Sequence, residues 1–213
     1  MKLYTYYRSS AAFRVRIALN LKGCAYDLAP VHLTRDGGRQ HGADFRLVNP
    51  QGLVPVLDDN GTILTQSLAI IEYLDARFPE PRLIPADEVA RAHVQSLAQI
   101  VACDIHPLNN LRVRQTLREE LRRDQEAVDD WCRRWIADGF AALEARISKW
   151  SDGRYCYGEG VTIADVLLAP QVYNARRLDC DLSPYPALRR VAAHLDTLDP
   201  FVRAAPEHQP DAE

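Results

Sequence analysis

No stretch of this 213-residue chain approaches the ~18 uninterrupted apolar residues of a membrane-spanning helix. A helical membrane protein is thereby excluded. The opening MKLYTYY also lacks the charged segment and long apolar run of a secretory leader, so a cytoplasmic protein is expected. Charge of one sign is scarce as well: the formal net charge is -3. That exerts no pull toward phosphate backbones or anionic lipid, which sets aside nucleic acid and membrane as partners. Five cysteines (Cys24, Cys103, Cys132, Cys156 and Cys180) are odd in number and include no CxxC pair. They read as mostly buried thiols in a reducing compartment, not as a disulfide framework. The histidines form neither HExxH nor a paired Cys/His spacing, so no metal site is expected.

What is present is the balance of a globular protein, 47% apolar and 26% charged residues, enough to build real cores. At roughly 100 to 150 residues per domain the length suits two. The first eighty residues alternate short β-like runs with helical ones. Strands are expected at 3–6, 26–33, 54–57 and 62–64, with helices at 13–22, 44–47 and 67–78. Asn60-Gly61 between apolar runs is a strong hairpin signal. The order βαβ, then α, then ββα predicts an α/β thioredoxin-like domain over 1–80. Pro79, Pro81 and Pro85 interrupt the next residues as a stiff linker. Beyond it the apolar spacing is helical, which predicts an all-α domain over 87–213 with solvated charged faces such as 118–126. Thr162 and Asp165, flanked by Val161 and Val166, form a capping box that announces a buried helix.

Three places could carry chemistry. Arg8, Ser9 and Ser10 stand where the first strand ends and the first helix begins, and a helix N-terminus with hydroxyls beside it stabilises a thiolate. An ordinary N-cap would read the same. Val54-Pro55 opens a strand, and a cis bond there is expected to leave Val54 free to pair with an extended, peptide-like ligand. Gln66 and Ser67 start another helix, suited to a carboxylate or, equally, to a plain cap.

The order of SS before RVRIAL, then NPQGLVPVL, then TQSLAIIEYLD resembles the glutathione transferases, and SSAAFRVRIAL is similar to the zeta-class signature. CDIHPLNNL, VTIADVLLAPQV and RRLDCDLSPYP extend the resemblance over the whole chain, toward the bacterial maleylacetoacetate and maleylpyruvate isomerases of that class. The resemblance implies a homodimer with glutathione as cofactor, bound at Ser9, Ser10 and Ala11 among others, and Ser9 and Ser10 as catalytic groups. Val54 with Pro55 would meet the cysteinyl backbone, Gln66 and Ser67 the γ-glutamyl carboxylate, and Gln40 the glycyl end. Asp104 would reach over from the partner subunit, while His106 and Asn110 would line the active-site wall. A diacid substrate calls for arginines, and Arg8, Arg112 and Arg177 are the candidates. One departure stands out: Ala11 takes the place where many zeta members have cysteine, so residues 8–13 offer hydroxyls and no thiol.

The implied reaction is maleylacetoacetate to fumarylacetoacetate, in tyrosine and phenylalanine catabolism. Addition of a thiolate beside a carbonyl makes a double bond single for long enough to rotate. Maleylpyruvate isomerisation in the gentisate pathway differs only in the tail of the ketoacid, and Leu111, where a basic residue would help hold a shorter diacid, favours maleylacetoacetate. Transfer to α-haloacids and a non-catalytic glutathione-binding module are the other readings. A glutaredoxin-like enzyme would need a cysteine at the first helix start.

Overall fold

The computed structural model describes residues 1–213, which form two compact units, Met1–Arg82 with Leu198–Glu213, and Leu83–Thr197. The first contains β1 (Lys2–Thr5), α1 (Ser10–Leu21), β2 (Asp27–Pro30), α2 (Ala43–Val48), β3 (Val56–Asp59), β4 (Thr62–Thr65) and α3 (Ser67–Arg77). Its sheet runs β2-β1-β3-β4, with β1 parallel to β2 and antiparallel to β3, and β4 closing the antiparallel hairpin. This is the thioredoxin-like arrangement expected.

The hairpin turns through Asn60 and Gly61, at φ 52° and 90°, the paired left-handed conformations that match the twist of the flanking strands. Two strand boundaries are moved from the sequence reading by prolines, which have no amide to add to a ladder, and the other strand ends lie within two residues of it. β2 ends at Pro30, with only the Val31 amide still reaching the Thr5 carbonyl at 2.7 Å, and β3 starts at Val56, after Pro55. The Val54-Pro55 bond is cis, as expected, and so is Glu80-Pro81, which nothing in the sequence indicated.

The expected division at 1–80 and 87–213 needs one correction. The segment from Leu198 returns to the first unit, where α9 (Asp199–Ala204) packs on α1. The reason lies in α1, which is buried from Ala12 through Leu19, two arginines included. Such a helix must be covered on more than one face, and buried Phe201 and Ala204 of α9 supply cover.

The second unit is helical: α4 (Glu88–Gln99), a π-helical run Ile100–Ile105, a 3-10 turn His106–Asn109, α5 (Leu111–Gln115), a π turn Thr116–Glu120, α6 (Gln125–Trp150), α7 (Ile163–Arg177) and α8 (Pro186–Leu195). Its helix starts are capped by side chains. Asp87 accepts from the Ala90 amide at 2.8 Å and Asp124 from Ala127 at 2.9 Å. Glu144 of α6 accepts both the Ala187 and Leu188 amides at the start of α8. Asp165 takes the Thr162 amide and hydroxyl at 2.8 Å each, and the Cys156 amide at 2.7 Å, so the predicted capping box also anchors the preceding loop. Gly139 lets α6 approach Ile105 so closely that a Cβ would sit 2.3 Å from its side chain. The exposed 118–126 stretch is solvated as expected, but it spans a helix break at Arg122, φ 50°. All five cysteines are free. Cys132 and Cys156 are buried, Cys24 and Cys180 half-buried, and Cys103 is exposed, an exception to the expectation of buried thiols. No helix is long and apolar enough to cross a membrane.

Candidate functional site

The first unit brings most of its predicted residues onto the ends of neighbouring elements. Ser9 is the N-cap of α1, and its Oγ accepts the Ala12 amide at 3.2 Å. The plain-cap reading is therefore true of Ser9, yet a hydroxyl that accepts through a lone pair keeps its hydrogen to donate. Ser10 is the first helical residue, and its amide with that of Ala11 belongs to the first-turn donors that have no intrahelical acceptor. Arg8 is exposed, with its guanidinium 5.4 Å from the centre of the Tyr7 ring. Tyr6, Tyr7 and Val54 share one buried cluster, so the strand end before the serines and the segment before β3 pack on each other. Burial pushes the Tyr6 phenol above its ordinary value, which keeps it neutral.

Gln66 immediately precedes α3 at φ 69°, ψ 116°, a left-handed backbone unusual for a side chain with a Cβ. It makes no side-chain cap, contrary to the plain-cap alternative. Its Nε2 donates instead to Gln51 Oε1 at 2.9 Å. Ser67 is buried, and its Oγ accepts from Arg14 Nη1 at 3.3 Å. Gln40 is buried, its Nε2 bonded to the Leu33 carbonyl at 3.1 Å, while its Oε1 is buried without a hydrogen-bond partner. Two glycines shape its surroundings. A Cβ on Gly38, φ 91°, would lie 2.5 Å from the Gln40 amide, and one on Gly52, φ 63°, would lie 2.9 Å from the Gln40 carbonyl oxygen.

The predicted residues of the second unit lie along one short stretch and one helix end. Asp104 is exposed within the π-helical run, and His106 begins the 3-10 turn whose second residue is Pro107. Asn110 caps α5, its Oδ1 accepting the Arg112 amide at 3.3 Å, so part of its capacity is spent locally. Asn109 beside it has both amide atoms buried without partners. Arg112 is exposed near the start of α5, and Arg177 is the last residue of α7, also exposed.

Sequence reasoning passed over the interior cations of α1 and its C-cap. Arg14 and Arg16 are 2% and 0% exposed, and Lys22 Nζ bonds Asp75 of α3 and the Pro81 carbonyl, each at 2.6 Å. The signal was available: in RVRIAL the arginines alternate with apolar residues on a helix with no polar face to hold them.

Residues 3–82 match the family model described as glutathione S-transferase, N-terminal domain. A protein of Vibrio cholerae serotype O1 named as a probable maleylacetoacetate isomerase is 52% identical over 99% of this chain and 97% of its own length. The chain belongs to the glutathione transferases. Among solved structures it is similar to the holo form of maleylpyruvate isomerase, a bacterial glutathione S-transferase of the zeta class, with a TM-score of 0.96 and 47% identity over 100% of both chains. It is also similar to the maleylacetoacetate isomerase of Methylobacterium extorquens AM1 with bound malonate and glutathione, with a TM-score of 0.92 and 42% identity over 100% of both. The absence of cysteine from residues 8–13 is the notable local feature. It leaves the α1 terminus with hydroxyl and amide donors only.

Proposed function

We propose that the protein is a glutathione-dependent cis-trans isomerase converting maleylacetoacetate to fumarylacetoacetate in the catabolism of tyrosine and phenylalanine. The observation that carries this reading is the α1 terminus, where the Ser9 cap, Ser10 and the first-turn amides stand at one helix end with no protein thiol among residues 8–13. Such a terminus suits a thiolate brought by a cofactor. Glutathione fits the surrounding donors and acceptors: the orphaned Gln40 Oε1 is an acceptor seeking a donor, the Val54 backbone is assigned to pair with the extended cofactor, and Gln66 and Ser67 stand at a second helix N-terminus where a carboxylate is favoured. When bound, it supplies the nucleophilic sulfur that makes the double bond temporarily single.

The chain's own residues would then do three things. Ser9 and Ser10 donate hydrogen bonds that favour the ionised thiol, with the helix dipole adding to the effect. Arg8, Arg112 and Arg177 hold the carboxylates of the diacid, for which a guanidinium fork has the right geometry. His106 and Asn110 are assigned to the wall of the site, and Asp104 to the glutathione of the partner subunit in a homodimer. The protein is proposed to work in the cytoplasm, where glutathione is abundant and its free cysteines stay reduced.

Maleylpyruvate is the second reading, favoured by the TM-score of 0.96 to a maleylpyruvate isomerase. Ultraviolet turnover of the two diacids, each with and without glutathione, distinguishes them. Faster turnover of maleylacetoacetate, abolished without glutathione, is the expected result. Preference for maleylpyruvate would move the assignment to that substrate, and turnover without glutathione would sink both.

A further inference from the structure

The peptide group between Tyr6 and Tyr7 is gripped at both ends by side chains distant in sequence. Its carbonyl accepts from Arg16 Nη1 at 3.4 Å and from the Ser9 amide at 2.9 Å. Its N–H donates to Asp211 Oδ2 at 3.0 Å. The next carbonyl, that of Tyr7, accepts from Arg16 Nη2 at 3.0 Å. The two peptide planes leading into Arg8 and Ser9 are therefore fixed by one guanidinium and one carboxylate.

Neither group is explained by the fold alone. Arg16 is fully buried and spends its other donors on Thr5 Oγ1 at 3.0 Å and the Ala204 carbonyl at 2.9 Å. Burial draws its pKa down to about 10, with Asp211 among the groups opposing that fall, so it remains a cation at neutral pH. Asp211 bonds the Tyr7 amide through one oxygen, while Oδ1 is buried without a partner. A partly buried carboxylate with one oxygen left without a partner is costly to keep merely as filler. The segment bearing it is itself held down: Gln209 Nε2 donates to the carbonyls of Arg203 and Ala205 at 2.9 Å each, and Glu213 pairs with His32 and Arg35.

We propose that Arg16 and Asp211 form a clamp that positions the Tyr7–Ser9 turn, and through it the hydroxyl and amide donors that meet the thiol. They are positioning residues, not catalytic ones, and the proposal rests on the glutathione reading above. Catalysis at such a site depends on donors held in place before reaction. A small rotation of these planes would swing Ser9 Oγ and the Ser10 amide away from the sulfur.

The test compares Asp211→Ala, which removes the acceptor, with Asp211→Asn, which keeps an acceptor for the Tyr7 amide and removes only the charge. Glu213→Ala serves as a control on the same segment. The readouts are the ionisation of bound glutathione followed near ~240 nm, kcat, and KM for the diacid. Asp211→Ala is expected to raise the thiol pKa and lower kcat about tenfold with little change in KM. Asp211→Asn and Glu213→Ala are expected to match wild type in both. A purely structural role would lower Tm without moving the thiol titration. Asp211→Ala indistinguishable from wild type in thiol pKa, or Asp211→Asn shifting it as far as Ala does, would overturn the clamp while leaving the isomerase reading intact. A wild-type protein that bound no glutathione would sink both together.

Discussion

Arg14 Nη1 of α1 reaches Ser67 Oγ, the first residue of α3, across 3.3 Å, so the second turn of α1 is joined to the N-terminus of α3 through a buried cation. Ser67 accepts from the arginine and keeps its own hydrogen for a ligand. Ser67→Ala is expected to raise KM for glutathione about tenfold, equivalent to about 1.4 kcal/mol, with kcat nearly unchanged. Initial rates at varied glutathione measure it. An unaltered KM would mean that Ser67 serves the fold and not the ligand.

The serines of α1 and the arginines should fail in different ways. Loss of a donor to the thiolate raises the sulfur's pKa, so Ser9→Ala or Ser10→Ala should lower kcat and displace its pH profile upward, with glutathione still bound. Because Ser9 is also the cap, Ser9→Ala should cost about 1 kcal/mol of stability in addition. Arg177→Ala should raise KM for the diacid and leave the thiol titration where it was. Identical thiol pKa values in wild type and both serine variants would leave the helix terminus as the sole activator.

Lys22 and Asp75 form an ion pair at 2.6 Å with side chains 0% and 8% exposed. Removing one partner strands a buried charge, and Asp75→Ala is expected to cost about 3–5 kcal/mol, whereas the double replacement Lys22→Met with Asp75→Leu should recover most of it. Urea unfolding of the wild type and the two variants gives the comparison. A double variant as unstable as Asp75→Ala would show that the pair itself, not the stranded charge, carries the stability.

Thiol reactivity should follow exposure. Cys103 is exposed, while burial pushes the Cys132 thiol up to about 11 and the Cys156 thiol well above its usual value. A thiol reagent at neutral pH should therefore modify Cys103 first and reach Cys132 and Cys156 only on unfolding. Peptide mapping after brief alkylation decides it, and early label on Cys156 would contradict the packing around Asp165.

Acid stability has a defined contributor in Asp152, whose carboxylate accepts the Arg154 and Tyr155 amides and pairs with the Arg154 side chain. These donors hold its pKa below the ordinary carboxylate value, the Arg154 amide most of all. A depressed folded pKa gives stability that is complete above the unfolded value of about 3.8 and is lost as pH falls through the folded one. Asp152→Asn should accordingly flatten the acid limb of the stability curve below about pH 4. An unchanged limb would remove Asp152 from the account.

Local chemistry made much of this protein legible in one dimension. The hairpin at Asn60-Gly61 follows from two residues that accept left-handed backbone, the capping box at Thr162 and Asp165 from donors that must be satisfied, and the linker from prolines that cannot continue a helix. The motif order around Ser9, Val54 and Gln66 likewise carried the family, because those segments meet the same geometric demands wherever they occur. Tertiary structure decided what depends on partners distant in sequence. Whether Arg14, Arg16 and Lys22 are surface cations or buried ones is settled by what covers α1, and the cover comes partly from Leu198–Glu213, far along the chain. Asp211 shows no local pattern at all: its meaning lies in one hydrogen bond to an amide 204 positions away. Hydrogen bonds of that span leave no periodicity in the sequence, since they are set by how the whole unit closes on itself.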